Sequence, residues 1–188
     1  MKSRKSPRAK WYNYSSGLFF ITMVTDNRKH FFGEIDGDTL KLSDIGKIVD
    51  CEIKKIDKTN PIIHVDEYVV MPNHVHLIIY LEQDNSKFIG RNLSELSSIN
   101  PYAENGREYF SQISKAQSRL SIIVSALKSS VTRKARMIDA SFGWQSRFHD
   151  HIIISRDEWN EISNYIKHNV QKWADDCFNN QIEKKRYS

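Results

Sequence analysis

Apolar positions along the chain fall into two spacings, and their alternation outlines most of a fold. Gly17 to Thr25 (GLFFITMVT) is apolar almost throughout, rich in β-branched and aromatic residues, and bounded by Gly17 and Asp26-Asn27. That pattern predicts a central strand, buried on both faces. Gly33 to Leu42 holds Asp36-Gly37, a hairpin signal between two short strands. Ser43 then caps a predicted helix to about Asp57, with Ile45, Ile48, Val49, Ile53 and Ile56 on one side, and Asn60-Pro61 ends it. Ile62 to Val70 and Asn73 to Leu81 read as two further strands separated by Met71-Pro72-Asn73.

Residues 82–111 are polar and weakly periodic, with Asn100-Pro101 and Asn105-Gly106, and are expected to form an irregular insertion with room for a short helix, able to fold over a substrate. From Ser114 to Met137 the spacing of Leu120, Val124, Leu127 and Val131 predicts a long amphipathic helix. A fourth strand is expected over about Arg147 to Ile154. Ser155 then caps a closing helix from Asp157 to about Asp175, its buried stripe made by Trp159, Ile162, Ile166, Val170 and Trp173. The order is strand, helix, strand, strand, helix, strand, with one helix to close. The expected class is therefore α+β: a ferredoxin-like β-α-β-β-α-β antiparallel sheet with helices on one face and a C-terminal helix.

Composition adds constraints rather than identity. The 188 residues suit a single domain spanning the chain; 39% are hydrophobic and 27% charged, an ordinary globular balance. No apolar run approaches the roughly 20 residues that span a bilayer, and no apolar stretch follows the basic start, so neither a membrane anchor nor a secretory signal is expected. Cys51 and Cys177 are far apart and read as reduced thiols of a cytoplasmic protein. The net charge of +5 is modest, but its distribution is uneven. Residues 1–10 form an arm with five basic side chains and no acid. Between Gln112 and Ile138 lie Lys115, Arg119, Lys128, Arg133, Lys134 and Arg136, again without an acid. Each stretch is either a solvated face or a surface for a polyanion.

Two groups of residues carry candidate chemistry. In the strand after Pro72, His74 and His76 alternate with Val75, so both imidazoles point to one face while Val75 enters the other layer. Two imidazoles on a rigid strand can chelate one divalent ion. The same spacing also arises in cross-strand packing or a partly exposed polar face. The second group lies on the closing helix, where Tyr165 and Asn169 fall one turn apart along a flank of the buried stripe. They could present a hydroxyl and a carbonyl oxygen to one point, or Tyr165 could be a boundary residue with a wet hydroxyl. His168 and Lys172 lie further round and are expected to be solvated.

The segment Met71-Pro-Asn-His-Val-His-Leu-Ile-Ile79, with Tyr165-Ile-Lys-His-Asn169 and Trp173 behind it, resembles the single-tyrosine HUH transposases, and more narrowly the REP-associated tyrosine transposases (RAYT). Tyr12-Asn-Tyr14, His30-Phe-Phe-Gly-Glu34 and Trp144-Gln-Ser-Arg147-Phe-His-Asp-His151 extend the likeness from about residue 11 to 175. The resemblance implies a ferredoxin-like core with HUH histidines on a central strand. It implies His74 and His76 as metal ligands, Asn169 as the third, Tyr165 as nucleophile and His151 in a supporting role. It further implies single-stranded, hairpin-bearing DNA as substrate and a monomer, although simpler relatives pair as homodimers. Two positions depart from the family pattern: Val170 stands where proline is usual, and Ile154 where arginine is.

If so, Tyr165 attacks a scissile phosphate to give a 5′-phosphotyrosyl enzyme and a free 3′-hydroxyl, and another 3′-hydroxyl can reverse the step. Mg²⁺ or Mn²⁺ suits such a phosphate-facing site. The basic arm and helix would track phosphates, and Trp11, Tyr12 and Phe148 would stack on bases. Three rivals predict otherwise. A non-catalytic nucleic-acid-binding module or a degenerate transposase would bind without cutting. A hydrolase using activated water would cut without Tyr165.

Overall fold

The computed structural model describes residues 17–59, 61–82 and 106–179, with residues 106–118 described by backbone alone. The basic arm, Trp11, Tyr12, most of the predicted insertion and the side chain of Lys115 lie outside that description.

Strands β1 (Gly17–Val24), β4 (Ile63–Val70), β5 (His74–Leu81) and β6 (His149–Ile153) form one sheet in the order β4-β5-β1-β6, every neighbour antiparallel. Strands β2 (Gly33–Asp36) and β3 (Thr39–Leu42) form a separate hairpin, its turn made possible by Gly37 at φ 57°. Helices α1 (Asp44–Thr59), α2 (Gly106–Ala135) and α3 (Arg156–Lys167) complete the β-α-β-β-α-β succession and its closing helix. The fold is thus α+β with a four-stranded antiparallel sheet, as the hydrophobic pattern predicts.

Strand alternation divides the side chains into two layers. Phe19, Ile21 and Met23 of β1, with Val75, Leu77 and Ile79 of β5, meet Val49 and Ile53 of α1 and Leu120, Val124 and Val131 of α2 in the main core. The other face carries a smaller cluster, in which Leu18, Ile78 and Ile153 receive Ile166 of α3 beside Trp159 and Ile162. α1 and α2 therefore share one face of the sheet, and α3 takes the opposite one. Because β1 is central and covered on both sides, its near-continuous apolar run is what the geometry demands.

Local chemistry fixes where elements begin. Ser43 caps α1 by accepting from the Gly46 amide at 3.0 Å and donating to the Phe31 carbonyl at 2.6 Å. The Phe32 carbonyl lies where a side chain at Gly46 would begin, so only glycine lets α1 approach this closely. α1 and α2 are pinned through Glu52, which accepts from Ser130 at 2.5 Å, Lys134 at 2.6 Å and Lys55 at 2.7 Å. Hydrogen bonds from Lys134, Lys55 and Ser130 hold its carboxyl down at about 2. Glu52→Gln is expected to destabilise the protein by about 1.5–3 kcal/mol at pH 7, read by urea denaturation. A depressed folded-state pKa means this contribution is complete above the unfolded value near 4.5 and fades as pH falls through about 2. Wild type and variant should therefore converge in acid.

Two boundaries differ from expectation. α2 starts at Gly106 rather than near Ser114, so residues 106–111 of the predicted insertion are helical. That stretch holds competent helix formers but shows no clear apolar stripe. α3 ends at Lys167, not near Asp175. The His168 amide bonds back to the carbonyls of Asn164 and Ile166, and its ring nitrogen Nδ1 takes the Asn164 carbonyl at 2.8 Å. The chain then proceeds through turns to a short 3-10 segment at Trp173–Asp175. That early stop decides the composition of the site.

Candidate metal and tyrosine site

His74 and His76 stand on β5 on the face covered by α3, opposite Val24 and Thr22 of β1. Val75 enters the main core, so the alternation predicted for the pair holds. Both rings are almost wholly removed from solvent, with centroids 4.5 Å apart. Burial pushes the His74 pKa well below its ordinary 6.5, helped by the neighbouring His76 and His30, and burial alone lowers His76 to about 3. Neither ring is a cation at neutral pH, and each has a lone pair to offer.

The hydrogen bonds show where the His74 lone pair points. Asn73 is fully buried, and its Nδ2 donates to the carbonyls of Arg28 at 3.1 Å and Phe178 at 2.8 Å. Reversing that amide would set an oxygen against both carbonyls, so its orientation is fixed. Its Oδ1 accordingly accepts from His74 Nδ1 at 2.9 Å. The proton resides on Nδ1, and Nε2 is bare. Nε2 has no hydrogen-bond partner and faces Asp176 Oδ2 across 3.8 Å, too far for a hydrogen bond. Asp176 is itself buried, and its Oδ1 accepts from the Phe178 amide at 2.7 Å in an Asx turn. Burial raises the Asp176 pKa, opposed by the Phe178 amide and by Arg28. Ligand atoms of His74, His76 and Asp176 all lie within 4.8 Å of one another.

His76 is held on both sides. Thr22 Oγ1 lies 2.8 Å from Nδ1, and the Tyr165 hydroxyl lies 3.2 Å from Nε2. Phe20 stacks on the same imidazole at 5.2 Å. Tyr165, in the last turn of α3, is 36% exposed while its hydroxyl touches buried His76. Its pKa is raised, chiefly by burial and then by the charge of Asp176; the amide of Asn169 opposes the rise. Asn169 is itself buried beyond the helix end; its side chain approaches the Tyr165 hydroxyl, but neither of its polar atoms makes a well-formed hydrogen bond. Trp173 and Phe178 close over His74 at 6.0 and 4.6 Å between centroids.

His74, His76, Tyr165 and Asn169 thus come to one side of the sheet, but by a route the periodicity did not foresee. The expected third donor Asn169 follows a helix end, and Asp176, absent from the sequence reading, arrives on the segment that follows. His151 lies apart on β6, exposed and paired with Glu158 at the start of α3. On α2 and just beyond its end, across the sheet, Lys128 donates to the Gln145 carbonyl at 2.6 Å, Lys134 to Glu52 and Arg136 to the Phe142 carbonyl at 3.0 Å. These three members of the expected phosphate-tracking face are engaged within the fold. Arg133 is exposed, and Arg119 is half-buried.

The donor set fits a divalent cation. A bare imidazole nitrogen and a carboxylate oxygen facing each other in a buried space repel, and an unpartnered amide lies nearby. A metal ion satisfies the nitrogen, the carboxylate and the oxygen of that amide, and two imidazoles with a carboxylate are ordinary ligands for one. Without metal, the neutral burial of the histidines has a pH signature. Their folded pKa values are depressed, so stability is full above about 6.5 and declines as pH falls toward 3, where His76 titrates. The melting temperature of metal-free protein should fall steadily between pH 6.5 and 4, and His76→Gln should flatten part of that slope.

An uncharacterized protein of Haemophilus influenzae is 32% identical over 176 residues, which cover 92% of this chain and 91% of that protein. The chain belongs to the same family as that protein. No family model matches it. Two solved structures are similar. One is a REP-associated tyrosine transposase bound to a REP hairpin, with TM-score 0.48 and 18% identity, covering 88% of this chain and 72% of that one. The other is a candidate transposase from Deinococcus radiodurans, with TM-score 0.45 and 12% identity, covering 89% of this chain and 97% of that one.

Proposed function

We propose that this protein is a metal-dependent enzyme that nicks and rejoins single-stranded DNA through a covalent link to Tyr165. One observation carries the proposal: the hydroxyl of a partly exposed tyrosine lies 3.2 Å from a buried histidine whose neighbours form a cation-ready donor set. A structural tyrosine has no need of such neighbours, and a metal site has no need of a tyrosine at its mouth. Together they match the chemistry implied by the HUH-like segment at residues 71–79.

In this reading His74, His76 and Asp176 hold Mg²⁺ or Mn²⁺, and the Asn169 amide is a further donor. The ion, when bound, polarises a non-bridging phosphate oxygen and offsets charge in the transition state. The protein does the rest. Thr22 and Asn73 orient the imidazoles, while Phe178 and Trp173 exclude water above His74. Tyr165 gives up its proton to solvent and its oxygen forms the bond to phosphorus. The bond from phosphorus to the 3′-oxygen breaks, and that oxygen takes up a proton. The phosphotyrosyl bond keeps the energy of the original linkage, so an incoming 3′-hydroxyl can rejoin a strand.

The substrate strand reaches the site on the face that exposes Tyr165, beside the half-buried Phe20 ring, rather than along the engaged side chains of α2. A working monomer belongs to this reading on the strength of the motif resemblance. Hairpin DNA is the first substrate to try, on the strength of the motif resemblance. Labelled single-stranded hairpins incubated with protein and Mn²⁺ should yield a protein–DNA adduct that survives denaturing electrophoresis and disappears with chelator. Binding without an adduct on any strand would leave a nucleic-acid-binding module as the better account.

A further inference from the structure

We infer that Asn73 is a positioning residue that joins the two halves of the metal site, setting the tautomer of His74 and holding the segment that delivers Asp176. The inference rests on the metal-site reading above.

The site is assembled from distant parts of the chain. The histidines arrive on β5, whereas Asp176 arrives on the segment that follows the 3-10 turn at Trp173–Asp175. Asn73 is the residue where the two meet. Its Oδ1 accepts from His74 Nδ1, and its Nδ2 donates to the carbonyl of Phe178, two residues beyond Asp176. The same Nδ2 reaches the Arg28 carbonyl, and Arg28 in turn donates from its guanidinium to the Cys177 carbonyl at 3.1 Å and lies 5.6 Å over the Phe178 ring. The Asn73 carbonyl accepts from the amide and hydroxyl of Thr25, so the side chain projects from a fixed backbone. A single buried amide therefore turns the His74 lone pair toward Asp176 with one end and anchors the chain that carries Asp176 with the other. Partners behind metal ligands commonly change metal affinity by 10–100-fold.

The two ends can be separated. Asn73→Asp keeps an acceptor for His74 but sets an oxygen against the carbonyls of Arg28 and Phe178, so it cuts the anchor alone. Asn73→Ala removes both functions. Mn²⁺ binding, followed by the electron paramagnetic resonance signal of free Mn²⁺, should weaken about tenfold in Asn73→Asp and about a hundredfold in Asn73→Ala. Imidazole ¹⁵N shifts of the metal-free proteins should show the Nδ1–H tautomer at His74 in wild type and in Asn73→Asp, and its loss in Asn73→Ala. A role in folding alone would lower the melting temperature and leave Mn²⁺ affinity of the folded protein unchanged, and that result would overturn the inference. So would wild-type affinity in Asn73→Asp, or an Nε2–H tautomer in wild-type protein, which needs no variant to fold. Failure of wild type to take up Mn²⁺ would instead remove the metal-site reading itself.

Discussion

Tyr165→Phe should abolish the covalent protein–DNA adduct while leaving the fold and the metal site in place. The ring of Tyr165 packs edge-on to Phe20 at 6.3 Å and against His76 at 5.2 Å, contacts that phenylalanine reproduces. Only the hydroxyl is lost. Loss of a nucleophile from an assembled site costs several orders of magnitude in rate, so adduct formation should fall by at least ~10³-fold. The same substitution should leave Mn²⁺ affinity intact or tighten it a few-fold. In the metal-free protein the hydroxyl occupies His76 Nε2 at 3.2 Å, and an ion must displace a hydrogen bond of about 1 kcal/mol. A variant with normal or tighter metal binding, a metal-free melting temperature lowered by no more than a few degrees and no adduct would isolate the chemistry to one oxygen atom. Cleavage that persists in Tyr165→Phe would transfer the reaction to an activated water and end the phosphotyrosine reading.

How far the sequence could be read follows from which physical signal each element carries. The strands are legible because β1 and β5 are covered on both faces, and the alternation about Val75 sets both histidines on one side without further knowledge. The cap of α3 is legible because Ser155 accepts from the Glu158 amide, a pairing visible in the spacing. The end of α3 is not. Ile166, Val170 and Trp173 continue a helical stripe, and neither glycine nor proline interrupts it. At the stop the Asn169 backbone amide bonds to the Ile166 carbonyl three residues back instead of continuing the helical ladder, a change of local hydrogen bonding that no apolar pattern records. Asp176 is hidden for the same reason, since a helix continued to Asp175 leaves the next residue in solvent. The Asx turn from Asp176 to Phe178 is the one local signal that could have suggested a folded-back segment. The basic residues between Gln112 and Ile138 are legible as charge, but the carbonyls and the Glu52 carboxylate that bond to Lys128, Lys134 and Arg136 are not visible in sequence.

The choice of third ligand can be settled by two substitutions whose effects on binding and on stability have opposite signs. Asp176→Asn should weaken Mn²⁺ binding about a hundredfold, because a charged ligand contributes more to holding a cation than a neutral amide, about 1.5–3 kcal/mol even as a hydrogen-bond partner. Asn169→Ala should weaken it about tenfold or less. In the metal-free protein the order reverses. Asp176 is a buried carboxylate facing a bare His74 nitrogen, an arrangement that costs stability until a cation arrives. An amide there can donate to that nitrogen, so Asp176→Asn should raise the metal-free melting temperature, by several degrees if the gain is about 1 kcal/mol. A residue kept for structure would do the opposite, losing stability on substitution and leaving metal uptake alone. Should Asn169→Ala prove the more damaging to Mn²⁺ affinity, the amide expected from the HUH resemblance is the ligand and Asp176 only tunes the charge around it. A loss of metal-free stability in Asp176→Asn would show that the carboxylate is satisfied by the fold, and the repulsion from which the metal site is argued would be absent.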